Sequence, residues 1–560
     1  MTGQYNLFLS KRLVTEEKIF DGGVLVNEFG KIEDVLDRYD ADNLIAESKD
    51  KITVVDGGDC PLLAGVVDSH VHVNEPGRTA WEGFRTATSA AAAGGITTIV
   101  DNGDTHTPFQ IVFQNSIPPT TTLENLKIKA NSAKENVFVD VAFWGGVIVG
   151  NQDSLRDLVK AGVVGFKCFL CPSGVEEFPN VGIEDLNLAF DALEGTGSVL
   201  AFHAEFEEET SSGKCMKLDP EDYNTYLESR PSQMELSAVS LITNFLQKTD
   251  VRVHIVHVSS ANVVPLLVKA REDRLAKGHN AWRGGVTAET CHHYLTLSAD
   301  EVPRGHSEYK CAPPIRDANN KAPNEQTAYL MQSSNRRPWP RICNIRDIAD
   351  AWPKLIVGEG EKGVRKDKRH EWVEKGKGVP NLSLLGRNAA ITGYFTPIFC
   401  ERVAREKLWK FLLDDKLDMV VSDHSPCTPE LKCSNNLKAW GGISSVQFGL
   451  PLFWTQASAR GLDLRSITKY LSSGPAHLCG LQNRKGALKK GLDADLIFFD
   501  CDANFTVTQE IIRHKNKLTP YIGKELKGIV RKTYLRGHLI YDGGDLIGSP
   551  QGELLLNDIK

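Results

Sequence analysis

The chain has 560 residues, of which 41% are hydrophobic and 24% are charged, and its formal net charge at pH 7 is -7. These values are typical of a soluble globular protein large enough for more than one domain. They give no reason to expect a nucleic acid or an anionic membrane as a partner, and no apolar run predicts a transmembrane helix. Twelve scattered cysteines favour a reducing compartment, so we expect a cytoplasmic protein.

The two ends of the chain have similar sequence patterns, in which short β-prone runs alternate with turns. Residues 1–60 contain short β-prone runs at 6–9, 23–27, 30–35 and 52–56, separated by the glycine pairs at 22–23 and 57–58. After Gly480 the same pattern returns at residues 496–500, 529–535 and 539–542. We therefore predict that residues 1–60 and 480–560 pair into one small β-domain.

Residues 61–479 have a different pattern, in which apolar runs alternate with helical segments. The predicted strands are residues 62–67, 96–100, 137–144, 163–170, 199–203, 253–258, 285–290 and 419–423. Strands that alternate with helices predict crossover units and a parallel sheet. About eight such runs suggest a closed barrel, whose catalytic residues lie at the carboxyl ends of the strands.

Two stretches interrupt this pattern. Residues 102–114 and residues 321–406 show no sustained periodicity, and the second contains a dense charge run at 359–377. A structureless loop of that length is unusual inside a compact domain.

The first candidate functional residues follow the first predicted strand of the barrel. His70 and His72 are two residues apart, so on a strand their side chains point to the same side. Neutral imidazole is a common zinc ligand, although a pair of histidines could equally line a polar rim. Lys167 lies inside an apolar run, where an ammonium is costly. It must therefore reach solvent, pair with an acid or carry an altered charge.

Further metal-type side chains occur at or near the ends of other predicted strands. With the first three they form a series of six, namely His70, His72, Lys167, His203, His257 and Asp423. Residues of this kind, gathered at one edge of a sheet, suit a pair of divalent ions that activate water and polarise a carbonyl.

Nearby residues of similar type are predicted to be structural. His254 is three positions before His257, so the two side chains face opposite sides of a strand. The same odd spacing separates Cys168 and Cys171, which we interpret as packing residues. No second cysteine pair at zinc-finger spacing accompanies them.

Two other polar groups also receive a structural interpretation. His292 and His293 follow a predicted strand directly, but adjacent imidazoles diverge, which favours a supporting role. The acidic run at residues 205–209 is predicted to be the solvated start of a helix.

Six motifs together resemble the allantoinases, a family of cyclic amidohydrolases within the amidohydrolase superfamily. The motifs are DSHVHVNEPGR at 68–78, GFKCF at 165–169, HVSS at 257–260, KCAPPIRD at 310–317, SDHSPC at 422–427 and WGGI at 440–443. The resemblance runs nearly end to end, outside the two interrupted stretches. It implies a distorted (β/α)8 TIM barrel at residues 61–479 and a small β-sandwich domain built from both chain termini.

The resemblance also implies how the six residues divide. One ion would be held by His70, His72 and Asp423 and the other by His203 and His257, with Lys167 bridging them as a carbamate formed with carbon dioxide. Zinc is the expected metal, although manganese, cobalt or iron could substitute for it. Members of the family open the hydantoin ring of allantoin to allantoate with a metal-activated hydroxide, and Asp423 would pass the proton to the leaving nitrogen. The expected partners are allantoin and further copies of the chain, as in a tetramer.

Substrate contacts are implied for Asn74, Asn115, Ala312 and Ser425. Dihydroorotases have an arginine at the position of Asn74, where it binds the substrate carboxylate. Allantoin has no carboxylate, so Asn74 agrees with an allantoinase.

The two interrupted stretches depart from the family pattern, which resumes on either side of each. Such a break fits a lineage-specific loop or translated non-coding sequence, and its abruptness favours the second. Two other functions remain open. One is a hydantoinase-like or dihydropyrimidinase-like cyclic amidase, and the other is a non-catalytic scaffold, against which the presence of all six ligands argues.

Overall fold

The structure is a computed structural model that describes residues 4–48, 50–102, 116–174, 176–206, 218–317 and 403–557. The two interrupted stretches lie outside these residues, except for Asn102 and residues 403–406. None of the helices in this described part is long and apolar enough to cross a membrane.

The bounds of the regular elements are as follows. The strands are β1 (Tyr5–Val14), β2 (Ile19–Val26), β3 (Ile32–Asp37), β4 (Ile52–Asp56), β5 (Leu62–Ala64), β6 (Val66–Val71), β7 (Ile96–Asp101), β8 (Asp140–Phe143), β9 (Gly145–Gly146), β10 (Phe166–Phe169), β11 (Val199–His203), β12 (Arg252–Ile255), β13 (Val286–Cys291), β14 (Met419–Val421), β15 (Leu496–Thr506), β16 (Glu525–Leu535), β17 (His538–Asp542) and β18 (Asp545–Leu546). The helices are α1 (Arg38–Glu47), α2 (Phe84–Ala93), α3 (Leu123–Ala133), α4 (Gln152–Ala161), α5 (Ile183–Leu193), α6 (Tyr223–Ser229), α7 (Ser232–Phe245), α8 (Val264–Ala276), α9 (His292–Thr296), α10 (Val403–Leu413), α11 (Gly449–Ala459), α12 (Arg465–Ile467) and α13 (Gly474–Leu478).

The strands between β6 and β14 pair in parallel, in chain order. Within the described residues, β6, β7 and β8 form a three-stranded sheet, and β9 to β14 form a six-stranded sheet. Only Trp144 separates β8 from β9. At the β14 edge of the six-stranded sheet, the chain just after β14 pairs with the end of β6. The backbone N–H of His72 donates to the carbonyl of His424 at 2.8 Å, and Val71 forms a parallel bridge with His424. The pairing therefore continues from β14 back to β6.

The two ends of the chain contribute strands to a single sheet. Its order is β18-β17-β16-β15-β5-β1-β2-β3, with β4 paired to β1. The join between the two ends is antiparallel, with Leu496 of β15 opposite Ala64 of β5. Strands from both chain ends thus lie in one sheet, in which β5, from the start of the predicted barrel range, pairs with both β15 and β1.

Helix α2 illustrates how local sequence sets these elements. Its run of alanines has high helix propensity and is buried, which lets the helix lie close to the strands. The helix ends at Ala93. The backbone N–H of the capping Gly94 donates to the carbonyl of Ala90, and Gly95 follows at φ +78°, a conformation that favours glycine. Strand β7 begins directly afterwards.

Candidate metal centre

The carboxyl ends of the parallel strands bring six predicted residues into the interior. The six are His70, His72, Lys167, His203, His257 and Asp423, and none is more than 4% exposed. His70 and Lys167 lie on strands and His203 ends β11. His257 and Asp423 were predicted within strands, but each lies two residues beyond its strand, where the backbone turns to a positive φ.

His70, His72 and Asp423 form one group. The Nε2 atoms of both histidines lie 3.4 Å from Asp423 Oδ1, and the three ligand atoms fall within 4.8 Å of one another. Neither His70 Nε2 nor Asp423 Oδ1 has a hydrogen-bond partner among the described residues. Buried polar atoms are rarely left without a partner. A cation held by all three would satisfy them, so the donor set fits a divalent metal.

His203 and His257 form a second group beside the first. His203 Nδ1 lies 3.0 Å from His257 Nε2, and the His257 ring centroid is 5.4 Å from that of His70. Burial is the largest cause of the lowered pKa of His203, which is about 4, and it also holds the pKa of His257 well below its ordinary value. Both rings are therefore neutral near pH 7, which is the form that binds a metal.

Glu289, on β13, supports both groups from behind. It accepts hydrogen bonds from His70 Nδ1, from the backbone N–H of His257 at 3.2 Å and from His254 Nε2 at 3.1 Å. His254 is in turn bonded to Thr287. The predicted structural role of His254 is therefore confirmed. Sequence reasoning missed Glu289, although a carboxylate inside an apolar strand is a signal that could have identified it.

Glu205 contradicts the prediction that the acidic run at 205–209 is solvated. It is 0% exposed and lies 2.7 Å from His203 Nε2, where it accepts a hydrogen bond. Arg230 donates to it at 2.6 Å. Burial opposes ionisation, but the Arg230 charge and the His203 contact hold the pKa of Glu205 below its usual range. This contact orients the His203 ring, with Nδ1 facing His257. Residues 207–209 lie outside the described part of the chain.

Asn74 has an unusual backbone conformation at the edge of this centre. It is 0% exposed and has a φ of 65°. Its Nδ2 donates to the carbonyl of His72 at 3.3 Å, and its Oδ1 has no hydrogen-bond partner among the residues that the structure describes. An amide oxygen thus remains able to accept. Asn115, predicted to contact substrate, lies outside the described residues.

Ala312 and Ser425, the other two predicted contact residues, are both buried. The backbone N–H of Ser425 donates to Ile443 at 3.0 Å, and the indole of Trp440 donates to the Ser425 carbonyl at 3.4 Å. The loop around Trp440 therefore fixes the chain that follows Asp423.

Comparison with known proteins adds independent findings. The model of the amidohydrolase family matches residues 62–331 and 368–540. An allantoinase of Streptomyces avermitilis is 37% identical over 98% of this chain and 97% of its own length. A mitochondrial allantoinase of Aquarana catesbeiana is 40% identical over 86% of this chain and 77% of its own length. The allantoinase of Saccharomyces cerevisiae is 35% identical over 89% of this chain and 86% of its own length.

Solved structures share the fold at lower sequence identity. The L-hydantoinase of Arthrobacter aurescens superposes with a TM-score of 0.74 at 23% identity, covering 99% of both chains. A dihydropyrimidinase from Brevibacillus agri gives a TM-score of 0.71 at 20% identity, covering 98% of both. The chain therefore has the fold of the hydantoinases.

Proposed function

The chain belongs to the allantoinases of the amidohydrolase family, and from this membership we propose how its own residues bind metal and substrate. It is a metal-dependent cyclic amidohydrolase that opens the hydantoin ring of allantoin to allantoate, in purine catabolism. The observation that carries the proposal is the convergence of His70, His72 and Asp423 in one buried group, with His203 and His257 beside it.

For the architecture we propose a distorted (β/α)8 barrel at residues 61–479 and a β-sandwich domain formed by residues 1–60 and 480–560. The parallel pairing from β6 round to β14 and the sheet shared by both chain ends support it. A homo-oligomer such as a tetramer, and a location in the cytoplasm, are further parts of the proposal. Gel filtration with light scattering tests the first and cell fractionation the second.

We propose that the centre holds two divalent ions, with zinc as the metal. His70, His72 and Asp423 would bind one ion, and His203 and His257 the other. Lys167, buried between apolar strand neighbours, would carry a carbamate, which replaces an ammonium by an anion that suits two cations. When bound, the ions would supply an activated water and polarise the ring carbonyl.

Asp423 is placed to move the proton. Burial raises the pKa of its carboxyl, but His70 and His72 outweigh that effect and hold the pKa below its ordinary value. The group is therefore ionised near pH 7, with Oδ1 turned to both histidines. It can accept a proton from the attacking water and return it to the leaving nitrogen of the ring.

The substrate would be held by Asn74, Asn115, Ala312 and Ser425. The amide of Asn74 offers an acceptor oxygen to the N–H groups of a neutral ring. An amide provides no charged fork for a carboxylate, which favours allantoin over dihydroorotate.

One experiment tests the proposed function. Purified chain is analysed for metal and then assayed with allantoin, hydantoin and dihydrouracil. We expect about two divalent ions per subunit and ring opening of allantoin in preference to the other two. Turnover of hydantoin or dihydrouracil with no activity on allantoin would instead indicate a hydantoinase-like amidase. Absence of both metal and turnover would indicate a non-catalytic scaffold.

A further inference from the structure

Two adjacent histidines, His292 and His293, follow β13, and their side chains lie in different surroundings. A Cβ atom on Gly449 would lie 2.6 Å from His292 Nε2, so His292 packs against the first turn of α11. His293 lies on the other side, where its ring, the Asp423 carboxylate and the Cys291 thiol have their ligand atoms within 4.8 Å of one another. The two rings diverge, as predicted, but His293 reaches the active centre.

The ring of His293 is fully buried and unsatisfied. It is 0% exposed, and neither Nδ1 nor Nε2 has a hydrogen-bond partner among the described residues. Tyr294 packs edge-on against it, with ring centroids 4.2 Å apart, and the Tyr294 hydroxyl donates to the Pro313 carbonyl at 2.6 Å. A rigidly held, buried donor and acceptor without partners is costly. This side chain is therefore ready for a ligand.

The chemistry of the ring restricts what that ligand is. A neutral imidazole presents one donor and one acceptor, and both nitrogens of the buried His293 ring are without a partner among the described residues. A neutral –NH–CO– unit offers the complementary acceptor and donor. The hydantoin ring of allantoin is built from such units, whereas a carboxylate or a cation would satisfy only one of the two ring nitrogens.

We propose that His293 binds the hydantoin ring at the carbonyl group next to the leaving nitrogen. This inference rests on the allantoin-hydrolysing function described above. Ring opening leaves that nitrogen attached to this carbonyl. Asp423, which would return the proton to the nitrogen, belongs to the same close group as His293. Pro313, next to the proposed contact residue Ala312, is tied to His293 through Tyr294.

The test compares His293→Leu and His293→Gln with the matched control His292→Gln. Each holoenzyme is measured for metal content, thermal midpoint, kcat and KM with allantoin, and the inhibition constant of hydantoin, which lacks the ureido group. We expect His293→Leu to raise both the KM for allantoin and the inhibition constant of hydantoin by roughly tenfold or more. His293→Gln should recover part of this loss, because an amide keeps one donor and one acceptor. Metal content should not change, and His292→Gln should bind both compounds like the wild type.

Each other outcome overturns the inference in a recognisable way. Loss of metal from His293→Gln would make His293 a metal ligand. Unchanged binding of both compounds would show that His293 does not contact the substrate. Weaker binding of allantoin alone would show that His293 contacts the ureido group instead of the ring. If His293→Leu does not fold, His293→Gln decides. If the wild type fails to turn over allantoin, the proposed function itself fails, and calorimetric binding of hydantoin to the holoenzymes still decides the role of His293.

Discussion

The two ring nitrogens of His70 face different groups, and a hydrogen bond determines which nitrogen is free to bind a metal. Its Nδ1 donates to Glu289, so Nε2 is the nitrogen that faces Asp423. Burial disfavours the charge on Glu289, but His70 and His254 outweigh it and hold the pKa of that carboxyl below its usual range. An ionised Glu289 therefore fixes the tautomer and the direction of the ring before any ion arrives.

The first prediction follows from this contact. Glu289→Gln keeps the shape of the side chain but weakens its hold on His70, so metal affinity should fall by roughly 10–100-fold. Competition with a chelator measures the affinity. Glu308→Gln is a matched control, because Glu308 pairs with His306 at a more exposed position. An affinity like that of the wild type would show that the ring does not depend on Glu289.

Lys167→Ala gives a second prediction at this scale. If Lys167 carries the carbamate, the variant loses the bridging anion, so metal and activity should both be lost. Short carboxylic acids such as acetate should restore part of each, because they can supply a replacement carboxylate. The exposed lysine of α4, in Lys160→Ala, is the control. Full metal occupancy and full activity in Lys167→Ala would contradict the two-ion assignment.

The side chain of Asn74 leads to a prediction about which of two related substrates, allantoin or dihydroorotate, the enzyme prefers. Its buried amide cannot neutralise a carboxylate, so kcat/KM should be at least roughly a hundredfold higher for allantoin than for dihydroorotate. Parallel assays with the two compounds measure the ratio. Comparable efficiencies would refute the role of Asn74 and point to a generalist cyclic amidase.

At the scale of elements, the sequence predicted the strands better than it predicted the backbone between them. Apolar runs predicted the strands from β6 to β14 except the two-residue β9, and residue type together with position near the strand ends identified the six metal-binding candidates. His257, Asp423 and Asn74 nevertheless all have positive φ values. Non-glycine residues adopt this conformation rarely and often at functional sites. No local pattern predicts it, because the surrounding strands impose it.

The supporting acids were missed for a related reason. Glu205 is ionised because Arg230 reaches it from a position 25 residues further along the chain, and Glu289 is held by His70, 219 residues away. The polarity of a short window contains no information about such partners. A local acidic run therefore predicted solvent where the fold has a buried ion pair.

A second buried charge cluster joins the parallel strands to the sheet of the chain ends. Lys485 Nζ lies 2.5–2.8 Å from the carboxylates of Asp140, Asp493 and Asp495. Arg536 adds a second contact to Asp140 at 2.6 Å. The three acids could otherwise hold a metal, but the lysine ammonium already satisfies them. The cluster therefore serves to connect elements.

Removing that cation should destabilise the fold in a pH-dependent way. Lys485→Met removes the cation that three buried carboxylates share, so the free energy of unfolding at pH 7 should fall by about 3–5 kcal/mol. Burial raises the pKa of Asp493, but Lys485, Lys31 and Arg484 together outweigh burial and hold it below that of an unfolded aspartate. This contribution is therefore complete above about pH 4 and is lost as the pH falls through the lowered pKa.

Urea unfolding at several pH values measures this effect. The difference between Lys485→Met and the wild type should shrink as the pH falls below about 4. Lys490→Met is the control, since Lys490 is exposed and forms only a surface pair with Glu33. A difference that stays constant with pH would contradict the proposed linkage to Asp493.

At the scale of the whole molecule, the family pattern is interrupted by a long stretch, and described residues before and after that stretch are held by hydrogen bonds. Residues 332–367 have no counterpart in the family model. On one side Arg316 donates to Glu235 at 2.6 Å. On the other side α10 begins at Val403, and Trp409 donates to the Leu295 carbonyl at 3.0 Å. These anchors do not involve the intervening residues.

The last prediction is that residues 321–402 can be replaced by a short glycine-serine linker without loss of the metal centre. Loop length itself has a small effect, about 0.6 kcal/mol per doubling. Apolar pieces such as residues 391–400 are an aggregation risk while the barrel folds, so the shortened chain should give a higher soluble yield. The cut stops at 402 because Glu406 pairs with Arg460.

Expression of both forms tests this, with solubility, resistance to proteolysis, metal content and allantoin turnover compared side by side. A matched deletion that also removes residues 403–406 should be less stable, because it takes away the Arg460 contact. If the shortened chain misfolds while the full-length chain is active and resists cleavage between residues 321 and 402, that stretch is a structural part of the enzyme. It would then be a lineage-specific addition rather than translated non-coding sequence.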